Sequence, residues 1–111
     1  MIRKSLIWVG SSRVDIRALP GDARQRLGHD LHQVQLGNWP LNWRPMSTIG
    51  PGVIEIRVSS GGAFRLIYVA KFAEGIYVLH VFQKKSRKTS PLDLELARAR
   101  FKAAVRTRQE K

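Results

Sequence analysis

The chain has 111 residues, of which 43% are hydrophobic, and it carries 20 basic against eight acidic side chains, a formal net charge of +12. This length and apolar fraction exclude a disordered chain, and we expect residues 1–111 to form a single domain with one core. The charge indicates an anionic partner, most commonly nucleic acid, while the lack of cysteine excludes disulfides and thiolate metal sites and suits a cytoplasmic protein.

The first predicted element is a strand at residues 5–9. The opening MIRKSLIWVGSS has the charge and the short apolar run of a signal peptide, but no small-residue cleavage site follows it. A membrane surface is the rival partner for so basic a protein. No apolar run approaches the length needed to span a bilayer, so we expect no membrane partner.

Two helices that form a hairpin are predicted next. Ser12 and Asp15 have the spacing of a capping box, which predicts a short helix through Leu19. Pro20 suits the first position of a second helix, which runs to about Leu36. The apolar stripe of this second helix is predicted to contain Ala23, Leu27, Leu31 and Val34.

Residues 38–52 are expected to form an irregular loop. The loop contains Trp39 and Trp43 among three prolines. Because so apolar a segment is unfavourable in water, we expect both tryptophans to pack against the sheet or the helices. The alternative is that one of them stacks on a nucleic-acid base.

Three strands joined by hairpins are predicted at 53–58, 63–72 and 76–83, since each is rich in β-branched and aromatic residues. A final helix follows them. The order β-α-α-β-β-β-α predicts an α+β fold, in which helices pack against a single, mostly antiparallel, twisted sheet.

The register of the central hairpin decides whether two arginines meet. Glu55 and Arg57 share one face of their strand. A three-residue turn after Ser59 would place Arg57 opposite Arg65, whereas a four-residue turn would separate them.

The second hairpin is predicted from its turn. A two-residue turn at 74–75 would place Arg65 opposite Lys84 and His80 opposite Val69. Adjacent cations across a strand pair are unfavourable unless an anion binds there.

A run of positive charge, KKSRK (84–88), ends the last strand and precedes a helix. Ser90, Pro91 and Asp93 predict the start of that helix, whose amide groups and dipole favour anions. We therefore interpret the run as a phosphate-binding site rather than a solvated charged surface. The basic side chains of the helix that are expected to face water are Arg100, Lys102 and Arg106.

The histidines and Glu55 each allow two interpretations. His29 and His32 are three residues apart on an exposed helical face, but no third ligand converges on them, so we expect no metal and no other cofactor. His80 is interpreted as a hydrogen-bonded core histidine in preference to an acid–base catalyst. Glu55 is either a surface partner of an arginine or a carboxylate that orients a catalytic cation or takes a proton.

These segments resemble the RelE/ParE superfamily of type II toxin–antitoxin toxins, and most closely its phage-derived HigB-like branch. The resemblance is carried by EIRV (55–58), GGAFRLIYVAKF (61–72) and above all LHVFQKKSRKTSP (79–91). The segments 20–37 and 44–53 also look like that branch. A RelE-like fold is therefore expected.

The resemblance implies a ribosome-dependent messenger-RNA endonuclease that works without a metal and is neutralised by a small helix-turn-helix antitoxin. In such proteins the RNA 2′-hydroxyl attacks the adjacent phosphorus. By position, the resemblance implies that Arg65 stabilises the phosphorane and Arg57 helps to activate the hydroxyl. It implies that Lys84 and Lys85 serve as proton donor and charge clamp.

Further RNA contacts are expected from Glu55, His80, Arg87 and Lys88. Pro91 and Leu92 stand where some relatives carry a tyrosine, so the assignment of acid and base stays open. The alternatives are a gyrase inhibitor that does not cleave RNA, which the same superfamily contains, and a basic RNA-binding module. The convergence of cations at one strand end favours the endonuclease.

Overall fold

The structure of the protein is a computed structural model that describes residues 3–110. In chain order they are β1 (Leu6–Trp8), α1 (Ser12–Arg17), α2 (Gly21–Gln35), β2 (Trp43–Pro45), β3 (Val53–Ser59), β4 (Ala63–Val69), β5 (Ile76–Lys84) and α3 (Pro91–Gln109). The strands form one five-stranded sheet in the order β1-β5-β4-β3-β2. Only the β1–β5 pair is parallel within the described residues. The predicted α+β fold with a mostly antiparallel sheet is confirmed.

The sequence prediction missed one strand, β2, in the segment expected to be a loop. This strand has three residues and lies at the edge of the sheet, where Arg44 pairs with Glu55 of β3. An edge position tolerates Pro45, which has no amide to donate. The strand is too short, and too rich in proline nearby, for alternation to reveal it.

Apolar layers cover both faces of the sheet. On one face, α1 and α2 pack on β3, β4 and β5 through a core that includes Leu27, Ile56 and Leu66. On the other, α3 packs through Ala97 and Ala104. We call this second side the α3 face. None of the helices described between residues 3 and 110 is long and apolar enough to cross a membrane.

A β-bulge in β5 decides which side chains share the α3 face. His80 opposes Ile67 rather than the predicted Val69, and Leu79 is the extra residue at this point of the ladder. A one-residue slip exchanges the two faces of a strand. The bulge therefore turns Lys84 towards the α3 face, which it would otherwise point away from.

The predicted two-residue turn at 74–75 is wrong. The connection between β4 and β5 spans 70–75, and as a result Arg65 opposes Phe82 instead of Lys84. Lys84 lies two pairs further along β5, opposite Ala63, and is still on the same face as Arg65 because the bulge compensates for the longer connection.

The three-residue form of the other hairpin is confirmed. Ser59 pairs with Ala63, and Arg57 lies directly opposite Arg65. Gly61 in the connection has a φ of +67°, a left-handed conformation that glycine adopts without strain. Two guanidinium groups are thereby fixed on adjacent strands.

One of the two predicted helix caps is confirmed. The Ser90 hydroxyl accepts from the Asp93 amide at 3.1 Å and donates to its carboxylate at 2.7 Å. The cap predicted at Ser12 is wrong, because Ser11 precedes α1. Ser12 is buried and donates to the Val78 carbonyl oxygen at 3.0 Å, which ties α1 to β5.

Candidate functional site

The α3 face becomes polar beyond the start of α3, and a groove of about 520 Å³ opens there. One wall is the segment that follows β2, and the other is the segment 84–89 with Leu94 of α3. We call it the cationic groove, since four cations and one carboxylate line it: Arg44, Glu55, Lys84, Arg87 and Lys88.

A buried charge cluster lies beside the groove. Glu55 is 3% exposed and Arg65 is 6% exposed. The Glu55 Oε1 atom lies 3.8 Å from Arg65 Nε and 3.9 Å from Arg57 Nε, which is too long for a hydrogen bond. Glu55 Oε2 and both Nε atoms are buried without a hydrogen-bond partner. The cluster therefore retains both donor and acceptor capacity, at a cost of about 1–3 kcal/mol per unsatisfied group.

The electrostatics of Arg65 favour an added anion. Burial lowers the pKa of the Arg65 guanidinium; Glu55 acts against this, and Arg57 and Arg44 lower it further. Its Nη1 donates to the Phe64 carbonyl oxygen at 2.9 Å, which fixes its position. A phosphate would add a second negative charge to a cluster in which Arg57 and Arg65 share one carboxylate, and it would supply acceptors for their unpartnered Nε atoms.

The structure separates the two lysines of the predicted site. Lys84 is half-buried and lines the groove, whereas Lys85 is exposed and is not part of the groove lining. Arg87 and Lys88 line it from the segment before α3. The sequence analysis missed Arg44, which could have been found only by predicting β2 and its pairing with Glu55.

His80 is a hydrogen-bonded core histidine, as expected. It is 5% exposed, and its Nε2 lies 2.7 Å from an Asp93 carboxylate oxygen. Its Nδ1 lies 3.2 Å from Arg100 Nη1. Because a guanidinium only donates, Nδ1 accepts and Nε2 carries the proton. Both ring nitrogens have partners, so an RNA contact by His80 stays a prediction that this geometry does not support.

Arg100 was predicted to face water, but its guanidinium is bonded to other parts of the protein. Its Nη1 also donates to the Leu79 carbonyl oxygen at 3.1 Å, and its Nη2 donates to Ser11 Oγ at 3.0 Å. The guanidinium covers Gly10, where a Cβ would lie 2.6 Å from Arg100 Nε. Arg100 thus ties α3 to β5 and to the start of α1.

The two loop tryptophans pack on each other rather than on the core. The rings of Trp39 and Trp43 are stacked with centroids 4.3 Å apart, and they are 60% and 38% exposed. The expected packing against the sheet or the helices is therefore wrong. These rings form an exposed aromatic surface on the side of the sheet opposite the cationic groove.

His29 and His32 are exposed on α2. Across residues 3–110, no group of three or more histidine or acidic side chains is placed to hold a metal ion.

Comparison with models of protein families matches residues 14–102 to the family described as phage derived protein Gp49-like (DUF891). The matched range extends from α1 into α3 and contains every residue of the cationic groove. No curated protein matches the chain. Since the match covers most of the sequence, the chain belongs to the Gp49-like family, within the RelE/ParE toxin-like group.

Proposed function

We propose that this protein is the toxin of a type II toxin–antitoxin system and cleaves messenger RNA on the ribosome without a metal ion. The observation that carries the proposal is the buried cluster of Glu55, Arg57 and Arg65, with unpartnered donors and an unpartnered acceptor beside the cationic groove. Membership of the Gp49-like family supports the toxin class. The proposed partners are the ribosome and its message in the cytoplasm, and a helix-turn-helix antitoxin.

The groove has the charge and the layout to hold an RNA backbone. Phosphates contribute most of the affinity of a protein for nucleic acid, and basic side chains fix the register of the strand. Arg44 lies on one wall, and Arg87 and Lys88 lie on the other. A strand bound between these walls would bring one phosphate next to Arg65.

The cluster contains the groups that phosphodiester cleavage by an internal hydroxyl needs. As the 2′-oxygen bonds to phosphorus, its proton leaves; as the bond to the 5′-oxygen breaks, that oxygen takes a proton. Glu55 is the member of the cluster that can accept a proton, since arginine stays protonated. Arg57 and Arg65 would stabilise the phosphorane, and Lys84 would protonate the leaving oxygen.

The test compares matched removals of charge. We expect Glu55→Gln, Arg65→Gln and Lys84→Gln each to lower message cleavage in a translation extract by about 100-fold or more. Lys102→Gln is the control, since Lys102 is an exposed cation of α3 outside the groove. Thermal melts of all variants separate loss of chemistry from loss of folding. The matching result in cells is growth arrest by the wild-type protein and by Lys102→Gln, and normal growth with each of the other three variants.

Two results would overturn the proposal. Full cleavage by a folded Arg65→Gln variant would remove the cluster from the chemistry. Intact messages together with inhibition of purified gyrase would place the protein among the non-cleaving members of the superfamily. The proposal that cleavage needs no metal ion is tested by brief assays in EDTA on chemically fixed ribosomes, in which cleavage is expected to persist.

A further inference from the structure

A second cavity, of about 600 Å³, lies between α2 and the part of β3 that extends past the first residue of β2. Its lining includes Asp30 and Gln33 of α2, Trp39 and Asn42 of the segment before β2, and Arg57 of β3. We call it the Trp39 cavity. Together these residues supply an aromatic ring, a carboxylate and two side-chain amides; the cavity is also lined by Asp22, Gln25, Arg26 and His29.

Trp39 offers a preformed surface for stacking. It lines the cavity and its ring is held by the stack with Trp43. Because the Trp39 ring is so exposed, folding leaves much of its apolar surface in contact with water, and a base stacked on the ring would remove that surface from water. Stacking of a base on an aromatic side chain typically tightens binding by about 5- to 150-fold.

Asp30 is a buried carboxylate with spare acceptor capacity. It is 6% exposed, and the hydrogen bond it accepts is a long one of 3.4 Å from the Leu41 amide to Oδ1. Among the described residues, no basic nitrogen lies within 4.0 Å of it. Burial, and then the Asp30 charge, raise the pKa of the neighbouring Tyr68 phenol. A carboxylate so placed favours a ligand that donates hydrogen bonds.

Arg57 joins the cavity to the cationic groove. It lines the Trp39 cavity, and its Nε lies 3.9 Å from Glu55 Oε1, which lines the groove. An RNA strand that occupies the groove can therefore continue past Arg57, around the edge of the sheet, and place a neighbouring base against Trp39.

We propose that the Trp39 cavity binds one base of the RNA held in the cationic groove, and that it prefers guanine; the inference rests on the proposed function. Guanine presents two adjacent donors, the N1–H and the exocyclic amine, which fit the two oxygens of the Asp30 carboxylate. Adenine and cytosine present an amine next to an acceptor nitrogen, which the carboxylate repels. Uracil presents a single N–H between two carbonyl oxygens. Gln33 and Asn42 can bond the remaining base edge.

The test uses uridine hexamers with 2′-O-methyl groups, which cannot be cleaved by an internal hydroxyl. One hexamer carries a single guanine, one carries inosine, which lacks the exocyclic amine, and one is all uridine. We expect the wild-type protein to bind the guanine hexamer about tenfold more tightly than the uridine hexamer, with inosine between them. Fluorescence anisotropy measures the three affinities.

Variants assign the preference to the cavity. Asp30→Asn should remove the guanine preference, whereas Asp15→Asn, a carboxylate of α1 outside the cavity, should keep it. Trp39→Ala should weaken all three hexamers, and Trp39→Phe should restore much of the affinity because it keeps an aromatic face. A wild-type protein without a guanine preference, or a preference that survives in a folded Asp30→Asn protein, overturns the inference.

The outcomes for the two proposals are separable. Loss of cleavage in Arg65→Gln together with no guanine preference refutes the base site and leaves the endonuclease. A guanine preference that depends on Asp30, in a protein that cleaves no message, refutes the endonuclease and leaves the base site. If Trp39→Ala releases a coexpressed antitoxin without changing oligonucleotide affinity, the cavity is a protein-docking surface and the base site is refuted.

Discussion

The ion pair between Glu55 and Arg65 should contribute to stability through a coupling that a double-mutant cycle can measure. The proposed changes are Glu55→Gln and Arg65→Met, singly and together. At the 3.8 Å between Oε1 and Nε, the Coulomb attraction is about 4 kcal/mol for an effective dielectric constant of about 20. Desolvation of both groups offsets part of it, so we expect a coupling free energy of about 2 kcal/mol.

Glu55→Gln leaves the buried Arg65 without its carboxylate, and Arg65→Met leaves Glu55 with Arg57 alone, so we expect each change to cost about 3 kcal/mol. The double variant should therefore cost about 2 kcal/mol less than the sum of the two. For a domain of this size, about 1 kcal/mol corresponds to about 4 °C in Tm. Urea and thermal unfolding of the four proteins, followed by circular dichroism, give the cycle.

The matched control is the exposed pair of Asp22 and Arg26, which is shorter, at 3.3 Å. Solvent screening should hold the coupling of this pair below about 1 kcal/mol. If the costs of Glu55→Gln and Arg65→Met add within about 0.5 kcal/mol, or the exposed pair couples more strongly, burial does not strengthen the charge cluster and the reasoning is refuted.

Three further predictions concern stability. Gly50→Ala should lower the free energy of unfolding by about 1–3 kcal/mol, because its Cβ would lie 2.4 Å from the Phe101 ring. Gly28 lies inside α2, and a Cβ added there would meet no atom within 4 Å, so Gly28→Ala should raise the free energy of unfolding by about 0.5–1 kcal/mol. Chemical denaturation tests both variants, and a change in the same direction for the two would contradict these expectations. Hydrogen bonds from Arg108 and Tyr77 lower the pKa of Glu74 from 4.5 to about 2. Glu74 therefore stabilises the fold above pH 4.5, and this contribution is lost as the pH falls towards 2. The Tm difference between wild type and Glu74→Gln should accordingly shrink over that interval, and a constant difference would disprove the linkage.

Elements with a strong local pattern could be predicted from the sequence. The alternation in residues 53–58 and the cap at Ser90 each depend on neighbours in the chain, and both were confirmed. The sequence also reduced the pairing of Arg57 with Arg65 to a choice between two loop lengths, and the structure has the three-residue form. These features need no knowledge of distant residues.

The rest of the candidate site depends on contacts that local patterns do not encode. The bulge at Leu79 lies inside a continuous apolar run, where an extra residue leaves no mark in the hydrophobic pattern. Arg44 joins the groove only through pairing of a three-residue strand. Arg100 has the position of an exposed helical residue, but the open space above Gly10 lets it reach the sheet.

The parallel pairing of β1 with β5 has a consequence for the order in which the molecule forms during its synthesis. Leu6 pairs with Ile76, and the Ser5 carbonyl oxygen accepts from the Ile76 amide at 2.8 Å. A nascent chain that ends before β5 offers β1 no partner, and contacts so distant in sequence form slowly. Lys84 and the segment after it emerge later still. The groove that we propose to cut messages therefore cannot form until β5 and the segment that follows it have been synthesised.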